Sequence, residues 1–207
     1  FGGVWVRGRP DFWTAHMMRL QRAALSHHKA SWLVLMAEAL DPFRCPRILT
    51  PQEHYCQAYM ALIHGAKGLF YFVDTALFHQ ISWDALSELA REMEWLGPAV
   101  TASAVPQEVV YQPGILDPNQ GQLPDVHAAI FRHPHDGYIL LAANGAPYPV
   151  QTRFTVGGLG SKNTWSGWFA AARVQRVFGK GGAMSLDNDA FQDVLETYGV
   201  RAYLLRP

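Results

Sequence analysis

Apolar residues along the first hundred positions recur with two periods, one typical of helices and one typical of buried strands. The stretch TPQEHYCQAYMALIHGAKGLFYFV, from Thr50 to Val73, contains both. Thr50 and Glu53 have the spacing of a capping box, so a helix is predicted to begin there. An apolar helical face follows, and glycines mark its exit. Leu69–Val73 is then a continuous apolar run, typical of a strand that is buried on both faces.

The same alternation extends in both directions from this stretch. Ser31–Ala37 is predicted as a second buried strand and Asp11–His28 as a helix, and a further helix is predicted to be capped by Ser82 and to stop at Gly97 and Pro98. An order of helix, strand, helix, strand, helix favours parallel strands joined by right-handed crossovers, as in a (β/α) barrel or a doubly wound sheet. A closed barrel takes eight strands and about 250 residues. The barrel interpretation therefore requires that most of the barrel lie outside this chain.

Beyond position 100 the pattern changes to short alternating runs. Residues 101–124 are low in charge and rich in Pro, Gly and Gln, and they are predicted to be a linker with one strand at Glu108–Tyr111. The runs VHAAIFRH and YILLAAN flank Asp136-Gly137, a strong hairpin signal. Roughly seven or eight strands of an antiparallel β-sandwich are predicted from position 125 onward. The predicted fold class is α/β plus all-β, with a barrel portion at 1–100, the linker at 101–124 and the sandwich at 125–207.

Composition excludes some partners. The 207 residues are 49% hydrophobic, which allows a sizeable core, and 17 Lys and Arg balance 17 Asp and Glu. This net charge of zero gives no positive field for nucleic acid or an anionic membrane. No apolar run has the length of a transmembrane span. The chain begins with Phe1 and not Met, which favours a piece of a longer polypeptide, and Cys45 and Cys56 are expected to be unlinked, with Cys56 in the core.

Three segments resemble the C-terminal end of a (β/α)8-barrel glycoside hydrolase of the broad clan A type, including family 42 β-galactosidase-like enzymes and uncharacterised relatives. WLVLMAEAL with TPQEHYCQAYMALIHGAKGLFYF resembles the seventh strand, seventh helix and eighth strand, and WDALSELAREMEWLGPAV resembles the eighth helix. YILLAANGAPYPVQTRFTV with AFQDVLETYGVRAYLL resembles the appended β-sandwich. The resemblance covers most of the chain from about Asp11 onward. It implies an enzyme that hydrolyses glycosidic bonds, with retention and without a metal or organic cofactor.

The resemblance also implies a location for the chemistry, because active sites of such barrels lie at the C-terminal ends of the strands. Glu38 directly follows the first predicted strand and is the candidate nucleophile, while Asp74 follows the second. The acid/base carboxylate would come from the end of a fourth strand, which this chain does not contain. The chain alone is therefore expected to be inactive. Its expected partners are a carbohydrate substrate and the missing N-terminal barrel portion.

Other residues near these strand ends are candidate sugar contacts, with a structural role as the alternative for each. They are Asp74, Tyr71, Phe72, His79 and Trp83. His133 and His135 lie in a hairpin turn without a third ligand nearby, so they are interpreted as turn residues and no metal site is predicted. Two alternatives to the enzyme stay open, a non-catalytic carbohydrate-binding or structural module and a relative in which Glu38 is incidental.

Overall fold

A computed structural model of the chain describes residues 29–36, 38–39, 47–72, 79–102, 109–111, 126–156, 173–179, 181–187 and 190–206. The elements in chain order are β1 (Trp32–Met36), β2 (Glu38–Ala39), β3 (Arg47–Ile48), α1 (Pro51–Ile63), β4 (Gly68–Phe72), α2 (Gln80–Val100), β5 (Val109–Tyr111), β6 (Val126–His133), β7 (Gly137–Asn144), β8 (Val150–Val156), β9 (Arg173–Arg176), β10 (Ala183–Met184), β11 (Ala190–Leu195) and β12 (Val200–Arg206). The predicted helix Asp11–His28, together with Cys45 and Asp74, lies outside the described residues.

The first described unit is two parallel strands, β1 and β4, connected through α1. The predicted capping box is confirmed, since Glu53 N donates to Thr50 Oγ1 at 3.3 Å and Thr50 N donates to Glu53 Oε2 at 2.8 Å. Gly65 ends the helix with a φ of 100°, a left-handed conformation that costs glycine little. The capping box fixes where α1 begins and Gly65 fixes where the chain turns back into β4.

The predicted boundaries of α2 are wrong at both ends. The helix begins at Gln80 with His79 in the N-cap position, and Ser82 lies inside the helix with its side chain buried. At the other end the helix continues through Pro98 to Val100. Proline here removes only one hydrogen bond near a terminus, and Thr101 N and Oγ1 both donate to Gly97 O, at 3.0 and 2.8 Å.

The prediction that β1 and β4 are buried on both faces is also wrong for the described residues. One face packs against the helices, and Leu33 and Leu35 are almost fully buried there. The other face carries four large apolar side chains, each more than half exposed, namely Trp32, Val34, Phe70 and Phe72. We call these four residues the open face. Parallel sheets usually have both faces covered, so the open face is unusual for this architecture.

Helix α1 is buried on two sides. Every residue from Cys56 to Ile63 is buried, and one core joins Leu33 and Leu35 of β1 to Ile139 and Leu141 of β7. Cys56 lies in this core, as predicted, with its Sγ 3.3 Å from Asn144 O. The helix therefore separates the parallel strands from an antiparallel sheet.

The second half of the chain forms two antiparallel sheets. The larger has the strand order β10-β9-β12-β7-β6, and the smaller has the order β11-β8-β5. Both contribute to a second core, in which the rings of Phe154, Phe191 and Tyr203 lie 4.9–5.6 Å apart. The predicted Asp136-Gly137 hairpin is confirmed, with Gly137 at a φ of 96°. The strand predicted near Glu108–Tyr111 is confirmed as β5, which pairs with β8.

Strand β11, whose sequence AFQDVL belongs to the segment that resembles the β-sandwich, carries a charged residue at an inward position. Asp193 is almost fully buried between the sheets. Its carboxylate accepts from Tyr203 Oη at 2.7 Å and Arg176 Nε at 2.9 Å, and Arg176 Nη2 contacts its other oxygen. Arg201 Nε lies 3.8 Å away. The acid thus joins β11 of the smaller sheet to β9 and β12 of the larger one.

Replacing Asp193 by Asn should destabilise the protein by about 2–3 kcal/mol, because two guanidinium groups would lose their buried counter-charge. The matched control is Asp84→Asn on the exposed side of α2, which should change the free energy of unfolding by no more than about 0.5 kcal/mol. Urea unfolding of both variants measures the difference. Equal stability of Asp193→Asn and the unmodified protein would show that the cluster does not hold the sheets together.

Candidate functional site

The carboxyl ends of β1 and β4 form one edge. The two strands are parallel, and their register runs from Trp32 opposite Gly68 to Met36 opposite Phe72. Both strands therefore end side by side at the same edge of the sheet. Glu38 lies just beyond Met36, in the short strand β2, where its backbone pairs with Ile48 of β3. We call this the carboxyl edge. It is the edge at which parallel α/β folds place their ligands.

The open face leads up to the carboxyl edge. The Trp32 ring lies across Gly68, where an added Cβ would approach Trp32 Cδ2 to 2.7 Å, and its centroid is 5.0 Å from that of Phe70. Gly68 therefore makes room for the indole. Phe72 is the last residue of β4 and belongs to the same face. Of the candidate sugar contacts on the strand, Phe72 is the one that reaches solvent at this edge.

Tyr71 points the opposite way, toward the helices. Its ring contacts His54 edge-on at a centroid distance of 6.2 Å. Its hydroxyl is buried, and no group in the described part of the chain lies within hydrogen-bonding distance. Burial raises the pKa of the Tyr71 hydroxyl. The structure thus separates Tyr71 and Phe72 onto opposite sides of β4.

A mainly apolar groove of about 400 Å³ lies on the helix side of β4. Leu69 and Tyr71 of the strand line it together with Leu86 and Met93 of α2. Lys67 closes one end, where its Nζ donates to Val100 O at 2.8 Å and also contacts Ala102 O, and burial lowers the pKa of its ammonium group. The apolar stripe of α2, formed by Leu86, Leu89, Ala90 and Met93, therefore extends beyond β4, the second strand of the parallel pair.

The first turn of α2 places an aromatic side chain in solvent. His79 is exposed at the N-cap, without a side-chain capping bond, and Trp83 is 54% exposed. Ile81 is exposed beside them. Because α2 follows the carboxyl end of β4, these residues begin on the same side of the sheet as the carboxyl edge. Exposed indole is well suited to stacking on a flat apolar ligand face.

Ser82, between these exposed residues, is held by a buried histidine that sequence reasoning missed. His54 Nε2 lies 3.2 Å from Ser82 Oγ, and its Nδ1 has no partner in the described part of the chain. Burial lowers the pKa of His54 to about 4, against the opposing effect of the Glu53 carboxylate. The imidazole is therefore neutral near pH 7 and ties the first turns of both helices together. No local signal identifies it, since residues 54 and 82 meet only in the folded chain.

The described residues hold no group of three or more His, Cys, Asp and Glu side chains arranged for a metal ion. His133 has a turn role, since its Nδ1 accepts from Asp136 N at 3.1 Å and its ring stacks on Trp95 at 5.0 Å. His135 is exposed in the same turn. In the part of the chain that is described, neither helix is long and apolar enough to cross a membrane.

No protein-family model and no curated protein matches this sequence. Solved structures do match. A proposed α-N-acetylgalactosaminidase from Bacillus halodurans C-125 is 14% identical, with a TM-score of 0.53 over 94% of this chain and 42% of that one. AmyP in complex with maltose is 12% identical, with a TM-score of 0.52 over 93% and 44% of the two chains. A variant of AmyP in complex with maltotriose is also 12% identical, with a TM-score of 0.53 over 98% of this chain and 46% of that one.

The likeness at these identities shows the fold alone. The chain has a fold that glycoside hydrolases also have. It spans less than half the length of these three structures, with 42–46% of their chains covered.

The neutral state of His54 predicts a pH dependence of stability. Above pH 6.5 the imidazole is neutral in the folded and unfolded chains alike, and between 6.5 and about 4 only the unfolded chain takes up the proton. The free energy of unfolding should therefore fall as the pH is lowered through this window, by roughly 3 kcal/mol, and then level off. His54→Gln should remove this component. His135→Gln, at an exposed turn position, should retain it, and equal pH profiles of the two variants in urea unfolding would contradict the assignment.

Proposed function

We propose that this chain is the C-terminal part of a (β/α)8-barrel glycoside hydrolase, consisting of the last barrel elements and an appended β-sandwich. The observation that carries the proposal is the parallel pair β1 and β4, whose carboxyl edge is followed by Glu38 and whose other face is uncovered. A right-handed βαβ unit followed by a second helix is the repeating unit of such a barrel. The shared fold with glycoside hydrolases supports the same conclusion.

The partner of this unit is the remaining barrel. In a closed barrel the open face becomes the barrel-facing side of the sheet, where Trp32, Val34 and Phe70 would pack in the interior while Phe72, the last residue of β4, would border the barrel mouth at the carboxyl edge. The groove beside β4 lies where the apolar stripe of α2 would cover the next strand. The whole enzyme would therefore supply strands at both edges of the β1–β4 pair.

The proposed chemistry is retaining hydrolysis. Glu38 would attack the anomeric carbon and form a glycosyl ester, while an acid on the missing portion protonates the departing oxygen. Water would then cleave the ester, with the second residue acting as base, which requires the two carboxyl groups to be about 5–5.5 Å apart. Phe72 and Trp83 are the candidate contacts whose exposure suits stacking on sugar rings, with His79 and Asp74 as polar contacts.

A carbohydrate is the proposed substrate class. Two matching structures contain maltose and maltotriose, which shows that a related fold can hold a neutral oligosaccharide. A coding sequence with further βα units upstream of Phe1, including an acid at the end of a fourth strand, is what this function requires. Without such units, a non-catalytic carbohydrate-binding or structural module is the function that fits.

Glu38→Gln in the whole enzyme should reduce turnover of a glycoside substrate by on the order of a thousandfold or more, because the amide cannot act as a nucleophile. The matched control is Glu94→Gln on the exposed side of α2, which should keep full activity. Stopped-assay kinetics with an aryl glycoside would measure both. Unchanged turnover in Glu38→Gln would reject Glu38 as the nucleophile while leaving the barrel assignment standing.

The 207-residue chain by itself should self-associate through the open face, because association removes its exposed apolar side chains from water. Val34→Lys should reduce this association, as measured by sedimentation velocity. Val194→Lys is the matched control, since Val194 is 44% exposed on the outer side of β11 and Val34 is 52% exposed on the open face. A monodisperse, folded monomer of the unmodified chain would argue against a missing barrel portion.

A further inference from the structure

The first turn of α2 reverses the usual polarity of a surface helix. Such helices direct apolar residues toward the core and polar residues toward water. Here Ser82 is buried, whereas Ile81 and Trp83 on either side of it are both more than half exposed. Successive helical residues point about 100° apart, so a buried Ser82 turns both neighbours away from the core. The inward position of one small polar side chain therefore decides that two large apolar side chains face solvent.

A histidine holds Ser82 in this inward position. His54 Nε2 lies 3.2 Å from Ser82 Oγ, and both side chains are almost fully buried. A buried hydroxyl needs such a partner, because without one the loss of its hydration is not compensated. The start of α2 has no local substitute, since the His79 side chain forms no capping bond and the first turn carries no acidic residue. The contact with α1 is therefore the side-chain bond that fixes the direction of this turn.

The same imidazole lies behind the second exposed aromatic candidate. Its ring meets the Tyr71 ring edge-on, with an angle of 60° between the ring planes. Tyr71 is followed directly by Phe72, which is exposed at the carboxyl end of β4. His54 thus contacts the neighbour of Trp83 on α2 and the neighbour of Phe72 on β4. One buried side chain connects the two elements that present these aromatic rings.

We propose that His54 is a positioning residue for carbohydrate at the carboxyl edge, acting through Ser82 on Trp83 and through Tyr71 on Phe72. A ring stacks on a sugar only when its plane is presented to the sugar, and buried contacts behind it restrict the planes that it can present. His54 itself does not meet the ligand, because it is fully buried. The inference rests on the proposed function, in which Trp83 and Phe72 contact sugar.

The test is a titration of the full-length protein with thio-linked maltotriose, an analogue that resists hydrolysis, followed by the fluorine NMR signal of 5-fluorotryptophan at position 83. Trp83→Phe assigns the signal. We expect a saturable shift, and an increase in Kd of about threefold to tenfold in Ser82→Ala and in His54→Leu. His54→Gln, whose amide can replace the ring nitrogen at Ser82, should keep Kd close to that of the unmodified protein.

Ser87→Ala is the matched control, at an exposed position of the same helix, and should leave both the signal and Kd unchanged. The double variant His54→Leu with Ser82→Ala should raise Kd no further than either single variant, because both remove the same contact. Circular dichroism checks that each variant is folded. Rescue by His54→Gln separates positioning from a general loss of stability, because it restores the bond to Ser82 and not the imidazole.

Equal Kd in all folded variants would overturn the proposal, and so would additive effects in the double variant or absence of any shift of the Trp83 signal. Glu38→Gln should leave the shift and Kd intact while hydrolysis of an aryl glycoside is lost. Failure of the proposed hydrolysis therefore appears in the turnover of Glu38→Gln, and failure of the positioning role appears in the Kd values of the His54 and Ser82 variants.

Discussion

The burial of α1 on both of its sides is the constraint on which the rest of the structure depends. Eight consecutive residues, Cys56 to Ile63, have no solvent-facing side, so the helix needs one apolar layer beneath it and another above. The β1–β4 pair supplies the first and the larger antiparallel sheet supplies the second. A contact of 2.9 Å between His64 and His127 and the Cys56 contact with Asn144 O join helix and sheet at polar points. The two halves of the chain therefore share one core.

The packing of the helices against the antiparallel sheet also determines the position of the carboxyl edge. Helices α1 and α2 pack against the antiparallel sheet on one side and against β1 and β4 on the other. The packing between the helices and the antiparallel sheet therefore also positions β1, whose last residue, Met36, is followed by Glu38. The open face has no such support in the described residues. A two-stranded parallel sheet that is covered on one face and uncovered on the other is the arrangement that the proposed barrel would complete.

Two polar side chains inside this structure connect elements that are distant in sequence. His54 is neutral in its buried site and contacts Ser82, which links the first turns of two helices near the carboxyl edge. Asp193 pairs with Arg176 and accepts a hydrogen bond from the Tyr203 hydroxyl, which links two sheets. In both places a single polar side chain connects elements that apolar contacts alone would leave free to slide.

The sequence by itself determined the features that depend on near neighbours along the chain. The capping box at Thr50 and Glu53 and the hairpin at Asp136-Gly137 were predictable because their hydrogen bonds and dihedral angles involve residues a few positions apart. The position of Glu38 after a strand was readable for the same reason. Only the tertiary structure decided which faces are buried. β4 is open on one side, Ser82 meets His54 inside the protein, and β11 carries an inward Asp193, since burial depends on partners distant in sequence that no local pattern records.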